Sequence, residues 1–113
     1  MKKMNKLIII GLLTALAASP LSLQARGNAS AGQEKARACE ACHGATGKSI
    51  DPTYPNLAGQ YASYLEQALN DYRSGDRKNP IMAGMSAGLS DQDVEDLSAW
   101  FASQQGLQDI SIK

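Results

Sequence analysis

Cys39-Glu40-Ala41-Cys42-His43 is the stretch on which the reading of this chain turns. A C-x-x-C-H run is the attachment signature of a c-type haem. Two thiols add across the vinyl groups of the porphyrin as thioethers, and the His that follows offers an imidazole nitrogen to the iron. On a helix, positions i, i+3 and i+4 share one face, so all three side chains address one flat group. Other uses of these residues fit less well. A structural zinc site needs four Cys or His ligands, and the chain holds no further Cys and no further His. A thioredoxin-like C-x-x-C belongs beside a βαβ pattern, and no strand pattern is present. A plain disulfide suits an oxidising compartment but gives no reason for His43.

Upstream, residues 1–25 read as an export signal. Lys2, Lys3 and Lys6 form a positive start, and Leu7 to Ala18 is an apolar run interrupted only by Gly11 and Thr14. Ser19 and Pro20 break it, and cleavage is expected after Ala25. The run is short for a membrane-spanning helix, which needs ~20 residues. The expectation is therefore export to the periplasm with no stable membrane anchor after cleavage, leaving residues 26–113 as one domain.

Three of the eleven basic residues leave with the signal and no acidic ones do, so the 88 residues that remain carry a net charge near −3. No basic stripe exists to neutralise phosphates, which argues against a nucleic-acid partner. A domain this small buries only a modest apolar core. A buried haem would give its helices a large apolar surface to pack around.

Helical patterns account for most of the remainder. Asn28 or Ser30 can cap a first helix, Gln33 to Ala41 is rich in helix formers, and Gly44 stops it. Gly32 within it suits either a close helix crossing or a frayed end. Gln60 to Ser74 is amphipathic, with Tyr61, Tyr64, Leu65, Ala68, Leu69 and Tyr72 on one face and Gly75 as the C-cap. Packing is the expected role of the Tyr residues, with hydroxyls at the rim. Ser90-x-x-Asp93 opens a last helix as a capping box, with Val94, Leu97, Trp100 and Phe101 as its apolar stripe and Gly106 closing it. The tail to Lys113 is expected to be loose. The class is all-α.

Two segments read as loops. Residues 44–59 hold three Gly and two Pro and show no steady period. Within them, the Pro55 carbonyl could accept the Nδ1–H of His43 and make that ring a better donor to iron, although an ordinary loop proline is the plainer reading of the pattern. Residues 76–88 contain Met82 and Met85, the only Met residues outside the signal. Either thioether could be the sixth ligand, and loop geometry alone does not choose between them.

Taken together, the residues resemble the class I c-type cytochromes of the short bacterial, periplasmic, monohaem kind. The resemblance covers nearly all of 28–105. It shows in Gly32, the CEACHG run, Pro55-Asn56-Leu57-Ala58-Gly59-Gln60, Tyr64-Leu65, Asn79-Pro80-Ile81-Met82, Leu89-Ser90-Asp91 and Asp96-Leu97-Ser98-Ala99-Trp100-Phe101. It implies a small cytochrome c fold of three to four helices wrapped around one covalent haem c. Cys39 and Cys42 would be the thioether sites, His43 the proximal ligand, and Pro55 the residue whose carbonyl holds His43. Met82, seven residues before the Leu-Ser-Asp start of the last helix, would be the distal ligand, and Met85 a second Met that does not bind iron. Gly32 and Trp100 would be the small-against-aromatic contact of the first and last helices. The segment from His43 to Met82 is on the short side for the family.

The implied function is a one-electron carrier, not an enzyme, since two axial ligands leave the iron no position for substrate. Its partners would be redox proteins met in brief, small-area encounters, with the chain itself a monomer. Two other classes compete. One is a haem subunit bound tightly to a dehydrogenase or oxidase, which a large apolar docking patch would mark. The other is a five-coordinate haem that binds a gas or peroxide, which requires that neither Met reach the iron.

Overall fold

The computed structural model of the protein describes residues 27–106. The expected export signal, its boundary after residue 25 and the tail from 107 onward lie outside the described residues. Those residues form five helices and no strand: α1 Ala29–Ala36, α2 Glu40–His43, α3 Ala62–Ser74, α4 Pro80–Ser86 and α5 Asp91–Ala102. The all-α class is as expected. Among the described residues no helix is long and apolar enough to cross a membrane.

The helix count exceeds three or four for two local reasons. The helix expected through Ala41 stops at Ala36, because the N–H groups of Ala38 and Cys39 bond three residues back, to Lys35 and Ala36 at 3.4 and 2.8 Å. That tightened turn resets the chain before α2, which Gly44 ends at φ +80°. The second reason is α4, which occupies part of the segment expected to be loop. Asn79 Oδ1 accepts the N–H groups of Ile81 and Met82, both at 3.0 Å. Pro80 takes the first helical position, where its missing N–H costs nothing.

The fold is organised on the crossing of α1 and α5. Asn28 caps α1 through Oδ1, which accepts the Ala31 N–H at 3.1 Å, and Ser90 with Asp93 forms the expected capping box on α5. Gly32 lies at the crossing, not at a frayed end. A Cβ there would stand 2.0 Å from the Asp96 carbonyl oxygen and 2.9 Å from Trp100 Cβ. Only a residue without a side chain allows that approach.

Charge reinforces the contact. Asp96, 3% exposed, accepts the Asn28 N–H at 2.7 Å, Lys35 Nζ at 2.6 Å and Gln92 Nε2 at 2.9 Å. Lys35 also pairs with Asp93 at 2.8 Å. The Lys35 hydrogen bond, helped by those to Ser90, holds the Asp93 carboxyl down at about 2. Lys35 lowers Asp96 as well and is itself raised by the pair.

The core consists of Ala36, Leu65, Leu97 and Phe101, with Leu57, Leu69, Leu89 and Trp100 packed against it. A core this small covers one turn of the α3 face and leaves the first turn out. Leu65 is buried, but Tyr61 and Tyr64 keep 68% and 50% of their surface exposed, against the packing expectation. Tyr64 and Tyr72 instead serve Arg77, whose guanidinium carbon lies 4.9 Å over the Tyr72 ring and whose Nη1 donates to the Tyr64 hydroxyl at 3.4 Å. Arg73 joins α3 to the start of α5 by donating to the Leu89 carbonyl, Asn70 Oδ1 and Asp91 Oδ1.

Gly75 ends α3 in the left-handed region, as expected. Gly106 does not close α5, which stops at Ala102. It lets the chain pass close over residue 58, since a Cβ at 106 would meet the Ala58 carbonyl oxygen at 2.0 Å.

Candidate haem-attachment site

Cys39, Cys42 and His43 occupy one turn. Cys39 is the N-cap of α2 with helical backbone angles, and its carbonyl accepts the N–H groups of Cys42 and His43 at 3.3 and 2.9 Å. The three side chains therefore follow the i, i+3, i+4 arrangement expected of the motif. Both thiols are half-buried and neither is in a disulfide. Burial pushes the Cys39 thiol up, and the Cys42 thiol and Glu40 carboxylate add to it.

His43 is 6% exposed, and its Nδ1 lies 2.9 Å from the carbonyl oxygen of Pro55. A carbonyl only accepts, so Nδ1 carries the proton and Nε2 holds the free lone pair. Pro55 is thus more than an ordinary loop proline: its backbone selects the tautomer and aims the ring. Tyr54 stands beside it, with ring centroids 6.3 Å apart at an interplanar angle of 65°. The Cys42 thiol next to the Tyr54 hydroxyl raises that phenol.

The loop that delivers Pro55 is internally tied. Ser49 N–H donates to Asn56 Oδ1 at 2.7 Å, and the Ser49 hydroxyl lies 3.1 Å from the Cys42 carbonyl oxygen and 2.8 Å from that of Asp51. The Gly47 carbonyl accepts the N–H groups of Leu57 and Ala58 at 2.7 and 3.1 Å.

Met82 is half-buried on α4, whereas Met85 is 47% exposed. Both backbone polar groups of Met82 are held by side chains. Asn79 Oδ1 takes its N–H at 3.0 Å, and the fully buried Ser86 hydroxyl donates to its carbonyl at 2.7 Å. Pattern reading missed Ser49, Tyr54, Asn79 and Ser86. Only Asn79 left a sequence signal, the Asn-Pro pair of a helix start.

The donor set fits a covalently attached haem. Two thiols and an imidazole lie on one helical turn, and the ring nitrogen not bonded to Pro55 is the one with a lone pair for iron. Apolar side chains exceed what the protein core covers, with Tyr61, Tyr64, Ile81 and Met85 all about half exposed or more. That surface suits contact with a large apolar group.

The cytochrome c family model matches residues 25–105. Cytochrome c-554(548) of Halomonas halodenitrificans is 46% identical over 82 residues, which is 70% of this chain and 99% of that protein. Cytochrome c4 of Pseudomonas aeruginosa is 48% identical over 102 residues, covering 90% of this chain and 50% of the relative. The crystal structure of reduced recombinant cytochrome c4 from Pseudomonas stutzeri superposes with a TM-score of 0.68 at 46% identity, over 72% of this chain and 47% of that one. The chain thus spans about half the length of the cytochromes c4 it matches and nearly all of the c-554(548).

Proposed function

Because this chain belongs to the cytochrome c family, we propose that it is a periplasmic one-electron carrier holding a single covalent haem c between His43 and Met82. The observation that carries this reading is the 2.9 Å contact of His43 Nδ1 with the Pro55 carbonyl inside a C-x-x-C-H turn. A redox dithiol or plain disulfide has no use for that hydrogen bond, and a zinc finger, which would use it, needs four Cys or His ligands where the chain holds three.

When bound, haem c supplies a metal centre that takes and gives up one electron without bond rearrangement. The residues do the rest. Cys39 and Cys42 anchor the group to α2, and His43, its tautomer set by Pro55, offers Nε2 in a fixed direction. Met82, with its N–H and carbonyl both tied, presents a soft thioether that favours the reduced metal and raises the potential. With His43 and Met82 both holding the iron, no position would remain for substrate.

Two experiments test this. The intact mass of denatured protein from a host with cytochrome c maturation should equal residues 26–113 plus one haem. A bare chain less two hydrogens would mean a disulfide and end the reading. Met82→Ala should then alter the visible spectrum and lower the potential, while Met85→Ala should leave both near the parent. A Met82→Ala protein with unchanged spectrum and potential would favour a five-coordinate haem.

A further inference from the structure

The carbonyl that holds His43 belongs to the Pro55–Asn56 peptide, and the hydrogen bonds around that peptide form a closed ring. His43 Nδ1–H donates to Pro55 O at 2.9 Å. One residue on, Asn56 Oδ1 accepts the Ser49 N–H at 2.7 Å. The Ser49 hydroxyl lies between two carbonyls, Cys42 O at 3.1 Å and Asp51 O at 2.8 Å. The Cys42 carbonyl belongs to the peptide leading into His43, so the path returns to its start. The segment spanned by this ring is itself pinned, because Gly47 O takes the N–H groups of Leu57 and Ala58.

We propose that Asn56 and Ser49 are positioning residues that set the strength of the His43–Pro55 hydrogen bond and, through it, the reduction potential of the iron. The proposal rests on His43 being an iron ligand. Donation from Nδ1–H to a carbonyl makes Nε2 more basic, and a hydrogen bond weakens steeply as it lengthens or bends. The carbonyl lies in the peptide that leads into Asn56, so its position follows that of Asn56, whose side chain bonds across the loop to Ser49. The Ser49 hydroxyl keeps the far side of the loop in register with the attachment turn. Without this ring the Pro55 carbonyl is held less closely to His43, Nε2 becomes a poorer donor, and the reduced state gains.

The test uses the holoprotein with Asn56→Ala, Asn56→Asp and Ser49→Ala. Asn56 is exposed, so its replacement leaves the core intact. Asn56→Ala should shift the ratio of reduced to oxidised protein at fixed poise about threefold toward reduced, which is about 28 mV for one electron. Exchange of the His43 Nδ1 proton with solvent, followed by NMR in the reduced protein, should quicken about tenfold. Asn56→Asp keeps the Oδ acceptor and should leave exchange near the parent, with the potential unchanged or lower because of the added negative charge. Ser49→Ala should move both readouts in the direction of Asn56→Ala, and the double variant should add little to the larger single effect, as for members of one network.

A folded Asn56→Ala protein with unchanged potential and exchange would overturn the proposal. So would a shifted potential with unchanged exchange, because the effect would then bypass the hydrogen bond. Should Asn56→Ala not fold, Ser49→Ala and Asn56→Asp decide by the same two readouts. Failure of His43 as a ligand would show separately, as a parent spectrum lacking an axial imidazole.

Discussion

Gly32→Ala tests the packing that the fold depends on. The added methyl would lie 2.0 Å from the Asp96 carbonyl oxygen, 2.6 Å from its carbon and 2.9 Å from Trp100 Cβ. Backbone cannot swing aside like a flexible side chain, so α1 and α5 must part by about 1.4 Å before that oxygen reaches ordinary contact at 3.4 Å. The same movement stretches the bonds that Asp96 accepts from Asn28 and Lys35, now 2.7 and 2.6 Å, to about 4 Å, beyond useful reach. Overpacking costs about 1–3 kcal/mol, and weakening hydrogen bonds to a charged group adds about 1.5–3 kcal/mol. The sum is about 2.5–6 kcal/mol, against about 4–12 kcal/mol for a whole domain of this size.

Gly84 in α4 supplies the control. A Cβ there meets nothing within 4 Å, so Gly84→Ala should be neutral or stabilise by about 0.5–1 kcal/mol through helix propensity. Urea unfolding of the holoproteins by far-UV circular dichroism separates the two. A Gly32→Ala protein within about 0.5 kcal/mol of the parent, on a scale where surface changes fall, would refute the close crossing.

Acid should loosen the same contact. Asp93 and Asp96 are held below the usual carboxylate range, so their contribution is complete above about pH 4. It fades as pH falls toward the Asp93 value of about 2. Unfolding followed from pH 7 to 2 should show this loss, and Lys35→Met should flatten it; an unaltered slope in the variant would exclude Lys35 as its source. Ser98→Ala should stabilise by about 1 kcal/mol, because the fully buried Ser98 hydroxyl has no hydrogen-bond partner among the described residues and such a group costs about 1–3 kcal/mol. A destabilised Ser98→Ala protein, seen as a lower urea midpoint, would show that this hydroxyl is engaged after all.

Much of this molecule was legible because its signals are local. The C-x-x-C-H run points to haem attachment by spacing alone, and Ser90 with Asp93 names a helix start through bonds only three residues apart. The α5 stripe at Val94, Leu97 and Phe101 is buried as its period requires. Where the pattern misled, a second local rule competed. The Asn79-Pro80 helix start was hidden by the two Gly that follow, and helix-forming residues at 37–39 gave way to the tight turn that presents Cys39.

The rest depends on distance in space and not in sequence. Nothing in a linear reading of Asp96 shows that it meets Asn28 and Lys35, 68 and 61 residues away. No pattern shows that Ser49 and Asn56 close a ring around His43 either. Composition and periodicity determined the all-α class and most of the helical segments, and the C-x-x-C-H spacing marked the turn proposed to hold the cofactor, since these follow from neighbours along the chain. Tertiary structure decided how closely α1 and α5 approach, and between the two readings of Pro55 it chose the one in which the carbonyl meets His43. Each of those depends on one polar atom finding another across the fold, and the direction of a hydrogen bond exists only once the chain has closed.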